Sequence, residues 1–345
     1  MTDWAAVLAG GSGTRFWPLS TSARPKQMLC LTGRKPLIRE TIERLEGLVS
    51  PEHTLIITGG WLAEETRRLL PSIPADNVLI EPRAASTAPA LAWATFVAGR
   101  NDPDATVLSL HADWFVGDDA LFRQAASRAL DAARRHDALV TVGVEPNRPE
   151  TGYGYVLPGD ALDDGVMSVR GFLEKSDADR AAELIAAGAM WNSGLFAWTS
   201  RRFFSETERF APEIAAHIDL LRNNDVAGFF DAVTPIAVDV SHFERSDRVV
   251  CVPGHFPWDD VGTWAALGRV RQGDESGNVL VGHVYQRDSA DCVAWADEGA
   301  VVLDGINDLV VVQANGITLV TTRQRSTQLK DLLDALPEAI RRPQQ

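Results

Sequence analysis

The chain has 345 residues, of which 45% are hydrophobic and 23% charged, and its 33 basic and 47 acidic residues give a net charge of −14. This composition excludes extensive disorder, and the length predicts about two domains. The acidic balance argues against general nucleic-acid binding, which needs a basic surface. An anionic substrate would therefore need a locally positive pocket or a metal ion.

Membrane insertion and disulfide bonding are also disfavoured. No apolar run approaches the ~20 residues of a membrane span, and the N-terminus lacks the basic and apolar regions of a signal peptide. Cys30, Cys251 and Cys292 are widely spaced and form no CxxC pair, which argues against a disulfide scaffold or a cysteine zinc site. We therefore expect a cytoplasmic protein with no membrane or nucleic-acid partner.

The first two-thirds of the chain alternates short apolar runs with helical patterns. In chain order, these patterns predict strands over 4–9, 54–58, 78–80, 106–110 and 139–144, and helices over 62–70, 88–98 and 120–135. Such alternation predicts the α/β class, with a mostly parallel, Rossmann-like sheet and helices on both faces. Ligands on these sheets bind beyond the carboxyl ends of the strands.

The pattern changes near residue 277. Five strand-like segments follow without intervening helices, over 279–285, 292–295, 300–303, 309–313 and 317–321, and a last helix is predicted over 325–340. This part reads as a small all-β unit, either a meander or a short β-solenoid. We therefore expect a catalytic domain over 1–272 and a small β domain with a closing helix over 273–345. The β domain is expected either to pack on the sheet domain or to mediate a homodimer.

The strongest local motif, LAGGSGTRFWPL over residues 8–19, directly follows the first predicted strand. Consecutive small residues let the backbone approach a ligand closely and direct several N–H groups at phosphate oxygens. The motif is neither a Walker A loop nor a dinucleotide fingerprint, because Phe16 stands where the latter needs its third glycine. A plain tight turn is the alternative, but Arg15 and the following Arg24-Pro25-Lys26-Gln27 favour a triphosphate clamp.

These residues resemble the signature of the sugar-1-phosphate nucleotidylyltransferases, most closely the mannose-1-phosphate guanylyltransferases. The similarity continues in family order across the sheet domain. The further motifs are EP at 81–82 with STAPA at 86–90, TGYGY at 151–155, FLEK at 172–175, WNSG at 191–194 and WDDVG at 258–262.

The resemblance implies a nucleotidyltransferase fold and a Mg²⁺-dependent enzyme that uses GTP and a sugar 1-phosphate. Its implied catalytic residues are Arg15, Lys26, Asp113 and Asp260, with Asp113 and Asp260 sharing the metal ion. Carboxylates are the hard oxygen ligands that Mg²⁺ takes. Asp259 is the adjacent alternative ligand, Asp113 could instead be a helix N-cap or turn residue, and WDDVG could be a plain tight turn.

The nucleotide and the sugar phosphate have separate implied residue sets. Those for the nucleotide are Leu8, Gly10, Gly11, Ser12, Gly13, Thr14, Glu81, Ser86 and Thr87, and those for the sugar phosphate are Tyr153, Gly154, Glu174, Lys175 and Asn192. A carboxylate such as that of Glu81 can accept both N1–H and N2–H of guanine, although Pro82 leaves a purely structural turn as the alternative. Tyr153 or Tyr155 could equally be a core residue.

The chain departs from the family pattern near the implied acceptor side. It has His111-Ala112-Asp113-Trp114 where relatives usually have Pro-Ala-Asp-His, and Ser176 where proline usually follows the Glu-Lys pair. The segment 238–244 keeps Val-Asp but lacks the usual Tyr-Ala, and Ser86 replaces the more usual Asn. These departures leave nucleotide binding credible and put the sugar in question.

The sequence therefore predicts transfer of GMP from GTP to mannose 1-phosphate, forming GDP-mannose and pyrophosphate. One alternative is a guanylyltransferase for another sugar 1-phosphate, such as that of a heptose or a different hexose. Another is a catalytically silent subunit that binds a nucleotide sugar. A nucleotide-dependent oxidoreductase ranks third, because the glycine fingerprint fails.

Overall fold

The computed structural model describes residues 2–11, 14–173 and 177–341. The predicted site residues Ser12, Gly13, Glu174 and Lys175 lie outside this part, and only the backbone of Thr14 is described. The strands are β1 (Asp3–Leu8), β2 (Thr54–Gly59), β3 (Val78–Glu81), β4 (Thr106–His111), β5 (Phe115–Val116), β6 (Leu139–Val144), β7 (Tyr155–Ala161), β8 (Met167–Leu173), β9 (Met190–Thr199), β10 (Val249–Gly254), β11 (Trp258–Asp259), β12 (Val279–Arg287), β13 (Val293–Asp304), β14 (Leu309–Ala314) and β15 (Ile317–Thr322).

Helices alternate with these strands over most of the chain. They are α1 (Leu37–Arg44), α2 (Ala63–Leu69), α3 (Thr87–Gly99), α4 (Asp119–His136), α5 (Ala178–Ala186), α6 (Ser200–Phe210), α7 (Pro212–Ala215), α8 (Ile218–Arg222), α9 (Val226–Ala232), α10 (Trp264–Val270), α11 (Leu329–Ala335) and α12 (Glu338–Arg341). Within the described ranges, none of them combines the length and the apolar character needed to cross a membrane.

The chain packs as two compact units, each assembled from several segments. Unit 1 contains the described residues of Met1–Gly10, Ile42–Ala112 and Asp118–Trp258, and unit 2 contains those of Gly11–Thr41, Asp113–Gly117 and Asp259–Gln345. The expected division into domains over 1–272 and 273–345 stays a prediction.

Unit 1 is built on a nine-stranded sheet with the order β3-β2-β1-β4-β9-β6-β10-β8-β7. Strands β3, β2, β1 and β4 are parallel, and so are β6 and β10. Strand β9 runs antiparallel between β4 and β6, and β7 and β8 add further antiparallel pairs. The predicted α/β class is confirmed, and the sheet contains more antiparallel pairing than expected.

Helices cover both faces of this sheet, as predicted. The alanine-rich α3 packs on one face, where Ala6, Leu55 and Val107 belong to the same hydrophobic cluster. On the other face, Arg134 of α4 contacts Asp3 and Thr106, which alternate with the residues under α3. Small residues let α3 lie close to the strands, and the carboxylate of Asp118 caps α4 by accepting from Ala120 N at 2.9 Å.

Unit 2 contains a four-stranded sheet with the order β12-β13-β14-β15. Consecutive strands β12, β13 and β14 pair in parallel, which is typical of solenoid coils rather than of a meander, and β14 and β15 form a hairpin. Asn315 and Gly316 close the hairpin with φ of 52° and 71°, as a two-residue turn of this type requires. The two strands predicted over 292–295 and 300–303 are one strand, β13.

The hydrophobic core of unit 2 joins its sheet to the end of the glycine-rich motif and the segment that follows it. Phe16, Leu29 and Trp264 belong to the same cluster as Trp295 and Val310. The closing helix is interrupted between α11 and α12, where Pro337 follows Leu336. Proline cannot donate a backbone hydrogen bond and disfavours a helical residue before it.

Candidate active site

Lys26 is the centre of a polar cluster inside unit 2. It begins a short 3-10 helix, Lys26–Met28, after Pro25, and only 8% of its side chain is exposed. Its ammonium Nζ donates to Oδ2 of Asp113 at 2.9 Å and to the backbone carbonyl of Asp260. A lysine is rarely buried unless it is paired, so these contacts account for its position. The fold thus brings together three of the four predicted catalytic residues.

The fourth, Arg15, contacts the same cluster. Its Nη1 lies 3.9 Å from Oδ2 of Asp260, and 70% of its side chain is exposed, so the guanidinium keeps donors available for a ligand. Oδ1 of Asp260 accepts from Gly262 N at 3.0 Å. A Cβ on Gly262 would lie 2.8 Å from Oδ2 of Asp260, which explains the glycine at this position of the WDDVG motif. WDDVG therefore does form the tight turn that the sequence left as the alternative. The same turn orients the carboxylate of Asp260.

Asp259, the alternative metal ligand, has a different environment. Its buried carboxylate accepts two hydrogen bonds from Arg269, Nε to Oδ2 at 2.8 Å and Nη2 to Oδ1 at 3.1 Å. It also accepts from the backbone N–H of Val261 at 2.8 Å, where φ is +48°, an unusual value for a β-branched residue. These bonds use the carboxylate of Asp259 to anchor the turn. Of the two adjacent carboxylates, that of Asp260 is therefore the better candidate for a metal ligand.

The first residues of the glycine-rich motif follow β1. The carbonyl of Leu8 accepts from Ala112 N at 2.9 Å, and Ala9 N donates to Ile57 O at 2.8 Å, so these two residues extend the pairing of the sheet. Gly10 and Gly11 are exposed, and Gly11 has φ of +125°, which favours glycine. Gly10 and Gly11 therefore leave accessible backbone directly after the first strand.

Glu81 ends β3 in unit 1. A Cβ on Gly10 would lie 3.8 Å from Oε2 of Glu81, so this carboxylate points at the start of the glycine-rich motif. Burial raises the pKa of Glu81 to about 7. Hydrogen-bond donors of a ligand would favour the ionised form of this carboxyl group and lower its pKa. Glu81 is therefore suited to accept hydrogen bonds from a ligand.

Ser86 and Thr87 lie at the start of α3, also in unit 1. Ser86 has φ of 67° and ψ of −174°, a region normally reserved for glycine, and strained backbone of this kind often occurs at ligand sites. Thr87 Oγ1 accepts from Val238 N at 2.9 Å. The threonine hydroxyl therefore ties the start of α3 to another segment of unit 1.

Asn192 of β9 contacts Gly154, another residue implied for the sugar phosphate, and three further residues of unit 1. Its backbone N–H donates to Gly154 O at 2.8 Å, and its Nδ2 donates to Oδ1 of Asp239 at 2.8 Å. Thr141 Oγ1 and Gly194 N both donate to Oδ1 of Asn192. Asp239 was not predicted as a site residue, although the Val-Asp pair shared with the family is a signal that could have found it.

A buried histidine supports the turn that carries Asp239. His242 lies in the same π-helical turn, Asp239–Phe243, between Thr207 Oγ1 at 2.8 Å from Nε2 and Ser241 Oγ at 2.7 Å from Nδ1. Thr207 Oγ1 donates to Phe203 O, so it accepts from Nε2–H. Burial lowers the pKa of His242 to about 3, so this neutral tautomer persists across the physiological range.

The two tyrosines of the TGYGY motif are buried. Tyr153 packs edge-to-face on Trp191 and Trp258, with ring centroids 5.2 and 5.1 Å apart, and its hydroxyl accepts from Arg148. The hydroxyl of Tyr155 donates to a backbone carbonyl, and its ring is fully buried. The core role that the sequence left open for these residues is therefore the one that their surroundings favour.

Within the part of the chain that the structure describes, no three His, Cys, Asp or Glu side chains form a cluster suited to a metal. Asp113 and Asp260 can nevertheless supply carboxylate oxygens, since a Mg²⁺ ion bound with phosphates commonly uses only one or two protein carboxylates.

Comparison with known proteins assigns the class. Residues 4–277 match the family model of the nucleotidyl transferases, and the chain belongs to this family. It is 35% identical to the mannose-1-phosphate guanylyltransferase of Klebsiella pneumoniae and 34% identical to that of Escherichia coli, in both cases over 96% of this chain and 73% of the relative. The resemblance to sugar-1-phosphate nucleotidylyltransferases is thereby confirmed.

A solved structure agrees over nearly the whole length. The crystal structure of mannose-1-phosphate geranyltransferase from Thermus thermophilus matches with a TM-score of 0.90 at 34% sequence identity, covering 97% of this chain and 99% of that one. A glucose-1-phosphate thymidylyltransferase from Bacillus anthracis, at 17% identity, shares the fold with a TM-score of 0.53.

Proposed function

We propose that this chain transfers GMP from GTP to mannose 1-phosphate, forming GDP-mannose and pyrophosphate. The observation that carries the proposal is the cluster in unit 2, where the buried ammonium of Lys26 contacts Asp113 and Asp260 and Arg15 lies beside Asp260. Two cations and two carboxylates suit a reaction between anionic phosphates that uses a divalent metal ion. The mannose-1-phosphate guanylyltransferases among its relatives support the choice of substrates.

The reaction is a nucleotidyl transfer. An oxygen of the sugar phosphate attacks the α-phosphorus of GTP, a new P–O bond forms, and the bond to the β-phosphate oxygen breaks as pyrophosphate leaves. Such chemistry depends mainly on positioning and on stabilising charge. Lys26 offsets the charge that develops around the α-phosphate, and Arg15 with the amides of the glycine-rich motif holds the leaving pyrophosphate.

The metal ion in this proposal is Mg²⁺, held by Asp113 and Asp260. Both side chains are about one-third exposed, at 33% and 31%, and both belong to unit 2. When bound, the ion would neutralise charge on the phosphate oxygens. The buried carboxylate of Asp259 is left to its ion pair with Arg269.

Recognition of the base and the sugar is assigned to unit 1. Glu81 accepts from the N1–H and N2–H groups of guanine, and Ser86 and Thr87 contribute to the same region. On the sugar side, Asn192 and Asp239 already form a hydrogen-bonded pair. Asp239 can accept from a sugar hydroxyl, and Nδ2 of Asn192 has a second N–H to donate. The roles of Glu174 and Lys175, toward a sugar hydroxyl and the sugar phosphate, remain those that the family implies.

The test is pyrophosphate release from each of four nucleoside triphosphates combined with mannose, glucose, galactose and heptose 1-phosphates, in the presence of Mg²⁺. We expect release with GTP and mannose 1-phosphate to exceed that of every other pair. Preference for another sugar would assign the enzyme to that sugar, and no release from any pair would favour a silent nucleotide-sugar-binding subunit. A cytoplasmic location and a homodimer remain further predictions of this proposal.

A further inference from the structure

Trp61 differs from the other nine tryptophans of the chain. It is 65% exposed, whereas the remaining ones are buried or half-buried. It belongs to the short turn Gly60–Leu62, which directly follows the carboxyl end of β2 in unit 1. Trp61 therefore presents an accessible indole at the edge of the sheet where ligands bind in folds of this class.

The indole is held against the backbone. A Cβ on Gly59 would lie between 2.4 and 2.8 Å from three atoms of the Trp61 ring, so the ring lies against the backbone at the end of β2. Glycine at position 59 leaves room for the ring in this place. Most of Trp61 stays open to solvent, so its indole can receive a ligand.

The ring and the carboxylate of Glu81 lie on the same face of the sheet. Side chains alternate along a strand, and Ile57 and Leu79 face α3, so positions 59 and 81, two residues further on, face the same way. The ring occupies the Cβ direction of Gly59, which is the register partner of Glu81. Gly10 extends the same face of β1, since its Cβ position is 3.8 Å from Oε2 of Glu81.

We propose that Trp61 is the stacking residue for the nucleobase and, together with Glu81, determines the preference for guanine. The inference rests on the proposed function, because it assumes a nucleotide as substrate. Indole supplies a flat apolar surface for the face of a purine. A base stacked there directs its edge sideways, where a carboxylate can accept N1–H and N2–H together. In this proposal, Trp61 contacts the face of the base and Glu81 recognises its hydrogen-bonding edge.

The test compares Trp61→Ala and Trp61→Phe with Tyr285→Ala, a control that removes an equally exposed aromatic ring from unit 2 (Tyr285 is 64% exposed). We expect Trp61→Ala to raise the KM and the Kd for GTP about tenfold or more, the size expected for loss of one base–aromatic stack. The kcat and the KM for mannose 1-phosphate should change less than twofold. Trp61→Phe should recover most of the affinity, and the control should behave as the wild type.

Inosine triphosphate, which lacks the 2-amino group, distinguishes the contribution of Trp61 to nucleotide binding from that of Glu81. Trp61→Ala should weaken GTP and inosine triphosphate by the same factor, whereas Glu81→Gln should weaken GTP more. Quenching of tryptophan fluorescence by GTP alone gives a binding readout without turnover. An unchanged Kd for GTP in Trp61→Ala would overturn the inference while leaving the transferase proposal intact. If the wild type binds GTP but releases no pyrophosphate, the transferase proposal fails, and loss of the quenching in Trp61→Ala would still support the stacking role.

Discussion

At the scale of single residues, Lys26 is the side chain that connects the candidate catalytic cluster. The chain has only four lysines among its 33 basic residues, and Lys26 and Lys175 are the two that fall in motifs of the family pattern. Lys26 is also almost completely buried and contacts both predicted metal ligands. A compact ammonium with three donors suits this place better than the planar guanidinium of arginine.

Replacement of Lys26 by methionine should therefore lower turnover. We expect kcat to fall about 10²–10³-fold, which is the loss typical when one group that stabilises developing charge is removed. Steady-state pyrophosphate release measures the effect, with Lys330→Met, an exposed lysine on α11, as the matched control. Unchanged turnover and unchanged GTP binding in Lys26→Met would remove Lys26 from the phosphate site.

Glu81 predicts a pH dependence of nucleotide binding. Burial raises its pKa to about 7 in the free protein, while the N–H donors of guanine favour the ionised form. Affinity for GTP should therefore fall as the pH drops below about 7 and level off above it. Titration calorimetry from pH 5.5 to 8.5 measures this, and Glu81→Gln corrects for the titration of the triphosphate itself. A pH profile that the substitution leaves unchanged would contradict the role of Glu81.

At the scale of elements, the WDDVG turn separates two neighbouring carboxylates by function. Asp259 anchors the turn through Arg269 and Val261, and Asp260 faces Arg15 and carries the carbonyl that contacts Lys26. The sequence placed both aspartates in one motif and favoured Asp260 only through the family resemblance. Asp259 is paired with Arg269 of α10, and Asp260 lies beside Arg15 of the glycine-rich motif. No local sequence pattern could therefore distinguish the two aspartates.

The same substitution should affect turnover at Asp260 and stability at Asp259. Asp260→Asn should lose most turnover with little change in melting temperature. Asp259→Asn should lower the free energy of unfolding by about 1–3 kcal/mol, since it weakens a buried, hydrogen-bonded ion pair. Thermal unfolding and pyrophosphate release on both variants provide the comparison. Wild-type turnover in Asp260→Asn would exclude it as a metal ligand.

The elements themselves were predictable to different degrees. Apolar runs bounded by turn residues located β1, β2, β4 and β6 within a residue or two, because a buried strand has to be apolar. The antiparallel insertion of β9 between β4 and β6 was not predicted, since strand direction depends on distant partners. The break before α12 was predictable, because Pro337 lies inside the helix predicted over 325–340 and proline cannot continue a helix.

At the scale of the whole molecule, a net charge of −14 means that anionic substrates need local cations and, in this proposal, a metal ion. Arg15 and Lys26 lie in one cluster of unit 2 with Asp113 and Asp260. That unit joins three separate segments of the chain, so its composition could not be read from sequence order. The motifs predicted the residues of the candidate site, and the packing of unit 2 brings four of them together.

The most direct test of this account is pyrophosphate release from GTP and mannose 1-phosphate by the wild type and by Asp113→Asn, with and without Mg²⁺. We expect the wild type with Mg²⁺ to release pyrophosphate and to form GDP-mannose in equal amount, and the activity to disappear with a chelator. Asp113→Asn should retain the wild-type melting temperature and lose most turnover. Full activity of Asp113→Asn, or activity of the wild type that a chelator leaves intact, would contradict the proposed metal-dependent transfer.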